Sequence, residues 1–177
     1  MVFGLLFLVA AAPVDHGSPS GIVRSFYSMY VSLQHAKPRG LFEHLSDAKP
    51  YLTNDLYRSL VDVATTERCF HVEILDADPF TASQLSTNRF SLGPATIHRG
   101  RASVPVTVRL QRDGTSGVIA TVVASQHDWR ISDIVSRPQG SMAATLKSDL
   151  ARLSAQMASA TRSERSCALR HGFRIKP

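Results

Sequence analysis

The sequence predicts an α+β fold in which helices come first and an antiparallel sheet follows. Over the first third of the chain, apolar residues recur at helical spacing, and from Cys69 onward the pattern changes to an alternation of apolar and polar residues. A run of helices followed by a run of strands is typical of α+β proteins. With 177 residues, 44% hydrophobic and 19% charged, the chain has the size and composition of one ordinary globular domain.

The N-terminal segment has features of an export signal. Residues 2–12 are apolar without interruption and end in small residues that suit signal peptidase, although no Lys or Arg precedes them. Pro13 disfavours cleavage directly after Ala12, which leaves cleavage after Ala11. The apolar run is too short to span a bilayer. We therefore predict a signal peptide with a short leader over residues 1–17 and a periplasmic or secreted protein; a mis-assigned start or a buried apolar N-terminus is the alternative.

Three helices are predicted before the sheet. Ser18-Pro19 opens the first, because a Ser hydroxyl caps a helix and Pro suits its first position. The apolar stripe of this helix consists of Ile22, Phe26, Tyr30 and Leu33, with Val23 and Tyr27 beside it. A short second helix follows Gly40 and is broken at Pro50, and Thr53 caps the third.

The predicted sheet is a meander of strands with one buried face. The strands cover residues 86–98, 102–110, 118–126 and 129–136. The first is interrupted at Gly93-Pro94. Pro105 indicates an edge strand or a bulge, because proline cannot donate a ladder hydrogen bond. Together with the helices, these strands assign residues 18–138 to one α+β domain.

The C-terminal part is predicted to be a helix followed by a basic tail. An amphipathic helix over residues 139–160 carries the stripe Met142, Leu146, Leu150, Leu153 and Met157, which can pack on its own sheet, cap a pocket or meet a partner. Of the net charge of +6, residues 151–177 carry +5. We expect residues 161–177 to be a solvated tail that makes at most weak contact with anionic surfaces. Because the domain itself is nearly neutral, specific nucleic-acid binding is not predicted.

Two further features concern covalent and metal chemistry. Cys69 and Cys167 can form one disulfide in an oxidising compartment, or remain two free thiols. Four potential metal ligands lie close in sequence, namely His71, Glu73, Asp76 and Asp78, but their spacing fits neither a calcium loop nor a zinc site. The sequence shows no phosphate loop or dinucleotide fingerprint either. We therefore predict no cofactor and no metal, and we interpret the acids as turn residues.

The segment Asp76-Ala77-Asp78-Pro79-Phe80, with Ser83-Gln84 beyond it and Phe26-Tyr27-Ser28-Met29-Tyr30 in the first helix, resembles a family of small exported bacterial proteins of uncharacterised function. The resemblance covers residues 20–136. It implies a nuclear-transport-factor-2-like (cystatin-like) fold, in which a curved sheet wraps around a helix like a cone and encloses an apolar concavity. The acid that the family carries after its Ala-Gln pair is Leu85 here, which weakens the case for an enzyme.

Our first hypothesis is a non-catalytic exported domain that binds a small apolar ligand or a protein partner. The predicted binding residues are Tyr27, Tyr30, Phe80 and Trp129 as the lining, with Asp76 and Asp78 at the rim. A homodimer is also expected by analogy, since sheets of the resembled fold commonly pair face to face.

Two other functions stay open. The second hypothesis is an isomerase or dehydratase with Asp133 or Asp76 as the base, because a buried carboxylate with a raised pKa can abstract a proton next to a carbonyl. Asp133 is preferred, since it lies two residues after Ile131 on the last strand and would share its inward face; the alternative is that it ends the strand in solvent. The third hypothesis is an immunity or inhibitor-type protein that binds its partner through a rigid surface, with the last helix as a candidate.

Overall fold

The structure, a computed structural model, describes most of the chain. The described residues are 15, 17–34, 41–75, 77–111, 114–125, 128–137, 139–156 (side chains to 152) and 160–171. The predicted signal sequence up to residue 14, Asp76, Met157 and residues 172–177 lie outside them.

Within these residues the chain forms five α-helices and six strands. The helices are α1 (Pro19–Leu33), α2 (Leu45–Ala48), α3 (Asn54–Phe70), α4 (Met142–Gln156) and α5 (Arg162–Arg170), with a 3-10 turn (Leu41–His44) before α2. The strands are β1 (Thr87–Leu92), β2 (Thr96–His98), β3 (Arg101–Leu110), β4 (Thr115–Ser125), β5 (Asp128–Ser136) and β6 (Gly140–Ser141). The predicted α+β class with an antiparallel sheet is confirmed.

The sheet is antiparallel throughout and has the order β1-β3-β4-β5-β6, with β2 paired to β3 beyond the end of β1. Along β3, buried and exposed residues alternate without exception. Helix α1 contacts β1, β3 and β5, and α3 and α4 contact β5. The hydrophobic core therefore lies between the helices and one face of the sheet, which we call the inner face.

The predicted helix starts follow from local hydrogen bonds. The Ser18 hydroxyl accepts a hydrogen bond from the Gly21 N–H at 3.0 Å, and Pro19 is the first residue of α1. Thr53 caps α3 in the same way, through the Leu56 N–H. Both satisfy backbone donors that the first turn of a helix leaves without a partner.

Pro105 lies inside the sheet instead of on an edge strand. Strand β3 is paired on both sides, and the Pro105 carbonyl accepts a hydrogen bond from the Gly93 N–H at 2.8 Å. Gly93 lies in the break between β1 and β2. The position at which Pro105 has no N–H therefore faces a point where the neighbouring strand is interrupted. A Cβ atom on Gly93 would lie 3.0 Å from the Pro105 Cβ atom, which explains glycine at this position.

The C-terminal helix is attached to the body by a disulfide. Cys69 at the end of α3 is bonded to Cys167 in α5, so the disulfide is the one of the two sequence alternatives that the structure contains. Thr161 and Glu164 form a reciprocal capping box at the start of α5, and Ala168 is fully buried where α5 meets α3. The first part of the predicted basic tail is thus a packed helix instead of a solvated coil. In the described part of the chain, no helix has both the length and the apolar character needed to cross a membrane.

Candidate functional site

The acidic turn is fixed by its own hydrogen bonds. We call residues 77–83 the clamped turn. One carboxylate oxygen of Asp78 accepts a hydrogen bond from the Phe80 N–H at 2.8 Å, and the Asp78 carbonyl accepts one from the Ala82 N–H at 2.8 Å. The Asp78 N–H donates in turn to the Ser83 carbonyl. An Asp followed by Pro favours such a turn, because the side chain bonds the backbone two residues on and proline fixes its own φ.

Two tyrosines of α1 attach the turn to the core. The Tyr27 hydroxyl donates to the Phe80 carbonyl at 2.7 Å, and the Tyr30 hydroxyl donates to the second carboxylate oxygen of Asp78 at 2.7 Å. Residues three apart on a helix lie on one face, so both hydroxyls reach the same segment. Asp78 therefore has a hydrogen-bond partner on each of its two oxygens, a clamp that links α1 to a turn about fifty residues later in the chain.

The electrostatics of the clamp keep the tyrosines neutral. Burial, followed by the charge of Asp78, raises the pKa of Tyr27 and of Tyr30 far above the ordinary value for tyrosine. Burial also raises the pKa of the Asp78 carboxyl, while hydrogen bonds from Tyr30 and from the backbone of Phe80 and Thr81 act in the opposite direction. The two hydroxyls are therefore permanent donors, and Asp78 is an acceptor held in a fixed orientation.

The interior beside the clamp is filled by aromatic rings. Phe80 is fully buried, and its ring centroid lies 4.9 Å from that of Phe26 and 6.1 Å from that of Tyr30. Tyr27 lies 5.2 Å from Phe26 in an edge-to-face arrangement. The structure thus brings Tyr27, Tyr30, Asp78 and Phe80 together. The rings of Tyr27, Tyr30 and Phe80 pack around Phe26 and occupy the space that the sequence analysis assigned to a ligand.

Trp129 lies apart from this cluster. It pairs with Ala124 of β4 near the end of the sheet and is half-buried against the core. It therefore contributes to the core beside the exposed Ala124.

Asp133 occupies a different face of β5 from the one predicted. Val122 pairs with Ile131 and Thr121 with Asp133, so Ser132 is an extra residue that forms a β-bulge. The bulge reverses the alternation, which leaves Ile131 on the inner face and turns Asp133 to the opposite, outer face. There the Asp133 carboxylate accepts a hydrogen bond from the Ala143 N–H at 2.9 Å, in the first turn of α4. The prediction that Asp133 shares the face of Ile131 is wrong, and its observed role is helix capping.

Two clefts open on either side of the clamped turn. The first has a volume of about 250 Å³ and lies between the turn, β5 and the start of α4. Its wall combines apolar and polar side chains, among them Ile74, Pro79, Ile134, Met142, Gln139 and Asp149. The second cleft, of about 480 Å³, is more open and lies beside Tyr30, Glu73 and Leu85. Leu85 is 41% exposed.

The sequence analysis missed the segment that separates these clefts. Leu75 and Ala77 line both of them. The Glu67 carboxylate of α3 accepts hydrogen bonds from the Ile74 and Leu75 N–H groups at 2.9 and 3.2 Å and so fixes the segment. One feature of the sequence could have indicated this segment. The apolar pair Ile74-Leu75 stands directly before the acidic turn, in a stretch with no helical or strand pattern.

Three residues of metal-ligand type lie close together, but two of them are cysteines that the disulfide joins. Cys69, Cys167 and His171 place their ligand atoms within 4.8 Å of one another. Metal binding requires thiolates, and the two sulfurs are bonded to each other.

The fold and the site define a disulfide-bonded α+β protein with a filled aromatic core and a rigid turn between two surface clefts. No protein-family model matches the chain, and no curated protein is significantly similar to it. Among solved structures, a chain of the type VI native effector-immunity complex Tae3-Tai3 from Ralstonia pickettii is similar in fold, with a TM-score of 0.54 and 18% sequence identity. The match covers 70% of this chain and 98% of that chain.

Proposed function

We propose that the protein is an immunity-type partner protein, which binds a secreted effector in the bacterial envelope and blocks its action. The observation that carries the proposal is the likeness in fold to a chain of an effector-immunity complex, almost all of which is matched. A shared fold does not by itself fix a function. The proposal therefore also depends on features of this chain.

The disulfide supports a location outside the cytoplasm. Bridges such as Cys69–Cys167 persist in the periplasm or outside the cell and are rare in reducing compartments. This agrees with the export signal proposed for residues 1–17. We also propose that α1 and the sheet form the cystatin-like cone of the resembled exported family, since α1 packs against the inner face of β1, β3 and β5.

The filled interior favours a protein partner over an enclosed small ligand. Phe26, Tyr27, Tyr30 and Phe80 are each at most 1% exposed and contact one another. A partner protein needs a rigid surface and not an internal cavity. Hydrogen bonds from α1 fix the clamped turn, and Glu67 of α3 fixes the preceding residues Ile74 and Leu75. We propose that the turn and its two clefts form the contact surface for the effector.

A second candidate function is binding of a small apolar molecule in the first cleft. Ile74, Pro79, Ile134 and Met142 supply an apolar wall there. Its volume of about 250 Å³ lies below the range of roughly 300–1,000 Å³ that is usual for ligand pockets. The enzyme hypothesis has less support, because Asp133, its preferred base, accepts a hydrogen bond from the backbone of α4. Asp76, the other candidate base, lies outside the described residues.

The test is protection of bacteria against periplasmic effectors. The Tae3 effector of Ralstonia pickettii and a panel of other type VI effectors are each exported to the periplasm of a host, with and without this chain. We expect the chain to restore growth against at least one effector and to elute with it in size-exclusion chromatography. Failure to protect against or bind any effector, with a correctly folded chain, would refute the proposal.

A pair of matched variants tests the contact surface. Ala77→Arg places a long charged side chain between the two clefts, whereas Ala124→Arg places one at an exposed site on β4. We expect protection to be lost in the first variant and retained in the second. If both variants protect as well as the unchanged chain, the turn is not the contact surface.

A further inference from the structure

No helix or strand of the described residues covers the outer face of the sheet, and this face carries a pattern of its own. On β3, the outward residues Arg101, Ser103, Pro105, Thr107 and Arg109 are all exposed. Ile119 of β4 pairs with Pro105 and is 42% exposed, and Val135 of β5 pairs with Ile119. The face therefore has an apolar band in the middle, with arginines towards both ends of β3.

Two arginines face each other at one end of this pattern. Arg89 of β1 and Arg109 of β3 are cross-strand partners, and they flank a shallow concavity of about 270 Å³ that also includes Ser91, Thr107 and Thr115. Like charges placed directly opposite each other in a sheet are destabilising. Neither arginine forms an ion pair with any residue that the structure describes. An anion bound between the two guanidinium groups would offset this repulsion.

A carboxylate suits the concavity. A guanidinium group donates two parallel hydrogen bonds to a carboxylate, and the hydroxyls of Ser91, Thr107 and Thr115 supply further donors beside it. Arg101 lies eight residues from Arg109, which corresponds to about 26 Å along an extended strand. The spacing leaves the apolar band around Ile119 between the two basic ends.

This layout fits a folded protein better than a polyanion or a second copy of the chain. Protein interfaces commonly have an apolar centre and a polar, charged rim. A linear polyanion would instead cross the uncharged band around Pro105 and Ile119. In a face-to-face homodimer, the basic ends would meet a second copy of the same face, on which the described acids are already engaged: Asp133 caps α4 and Asp128 is paired with Arg130.

We propose that the outer face of the sheet is a docking site for an acidic protein surface, with a partner carboxylate held between Arg89 and Arg109. The site is separate from the clamped turn and its clefts. Where the partner is the effector, the docking site rests on the proposed function. It then adds that the effector surface that meets the sheet carries acidic residues.

The first experiment measures whether the arginine pair costs stability in the free protein. Arg89→Gln removes the like-charge contact, so we expect it to raise the midpoint of urea denaturation. Arg24→Gln, at an exposed site on α1, is the matched control and should leave the midpoint unchanged. A lower midpoint for Arg89→Gln would mean that the arginine supports the fold, and would overturn the proposal.

The second experiment measures binding with defined probes. Hexaglutamate, with hexaglutamine as its uncharged control, is titrated while the arginine side-chain N–H signals are followed by NMR. We expect the signals of Arg89 and Arg109 to respond to hexaglutamate only. The double Gln variant, which removes both guanidinium groups, should bind hexaglutamate at least tenfold more weakly, a loss of about 1.4 kcal/mol or more. Equal binding by the double variant, or tighter binding of inorganic polyphosphate than of hexaglutamate, would overturn the proposal.

The two proposals fail in distinguishable ways. If hexaglutamate binds at the pair but no effector is bound in the panel, the immunity-type function fails and the acidic docking site stands. If an effector is bound with the same affinity by the double Gln variant, the docking site fails and the immunity-type function stands. If the protein self-associates and Ile119→Glu abolishes the association, a second copy of the chain occupies the outer face. That result would overturn the proposed acidic partner.

Discussion

The hydrogen bond between Tyr30 and Asp78 can be isolated by a double-mutant cycle. Tyr30→Phe removes the hydroxyl that donates to Asp78 at 2.7 Å, and Asp78→Asn keeps the shape of the side chain while it removes the charge. A hydrogen bond to a charged group contributes about 1.5–3 kcal/mol. Because Asp78 is half-buried, we expect the lower end of that range for Tyr30→Phe, and a coupling energy of about 1 kcal/mol between the two changes.

The coupling is measured by urea denaturation, followed by the fluorescence of Trp129, the single tryptophan of the chain. Tyr27→Phe is the matched control, because its hydroxyl donates to the Phe80 carbonyl and not to Asp78. This control should also cost about 1–3 kcal/mol, since it leaves a buried carbonyl without its partner. Its coupling to Asp78→Asn should be close to zero. If the stability losses of Tyr30→Phe and Asp78→Asn add up to the loss in the double variant within about 0.3 kcal/mol, the clamp is refuted.

The pH dependence of the same variants has a definite sign. Burial is the largest influence on Asp78 and raises its pKa in the folded state above the ordinary value. A carboxyl with a raised folded-state pKa binds its proton more tightly when folded, so the free energy of unfolding increases as the pH falls through that pKa. We expect the unchanged protein to gain stability relative to Asp78→Asn between pH 7 and pH 4. A loss over this range would mean that the hydrogen bonds outweigh burial.

Three other changes test the framework that positions the site. Reducing the disulfide, which joins residues 98 apart in sequence, should lower the free energy of unfolding by up to about 4–5 kcal/mol and release α5 from α3, so that trypsin cleaves faster at its already exposed arginines; an unchanged urea midpoint would contradict this. Gly93→Ala brings a Cβ atom to 3.0 Å from a proline ring carbon and should cost about 1 kcal/mol or more by thermal melting, whereas Gly117→Ala meets nothing within 4 Å and should not. Asp133→Ala should destabilise α4 by about 1 kcal/mol, measured as faster amide exchange at Ala143, and exchange equal to that of the unchanged protein would refute the cap.

Features set by neighbouring residues could be predicted from the sequence. Ser18 and Thr53 mark helix starts because a cap needs only a side-chain oxygen two or three residues before a backbone donor. The strand over residues 101–110 could be read from its alternation, because one face of a sheet is buried and the other is not. The disulfide was one of two alternatives that composition left open, and only the packing of α5 on α3 decides between them.

Features set by distant residues could not be predicted in this way. The bulge at Ser132 arises from the register of β5 against β4, and it moves Asp133 to the outer face although the sequence around it reads as an uninterrupted strand. Pro105 is tolerated inside the sheet because the chain breaks at Gly93, a residue of another strand. Both cases depend on which strands become neighbours, and local patterns contain no information about that.

The two segments on which the proposed family resemblance rests contact each other directly. Tyr27 and Tyr30 of the first segment donate hydrogen bonds to Phe80 and Asp78 of the second, and the rings of both segments pack together. A motif with these contacts has a structural reason to recur in any protein with the same fold, whatever that protein binds. It follows that specificity must be sought in exposed residues outside the motif, such as Leu85 beside the clamped turn and the Arg89–Arg109 pair on the sheet. Exchange of these residues should change the partner while the fold is retained.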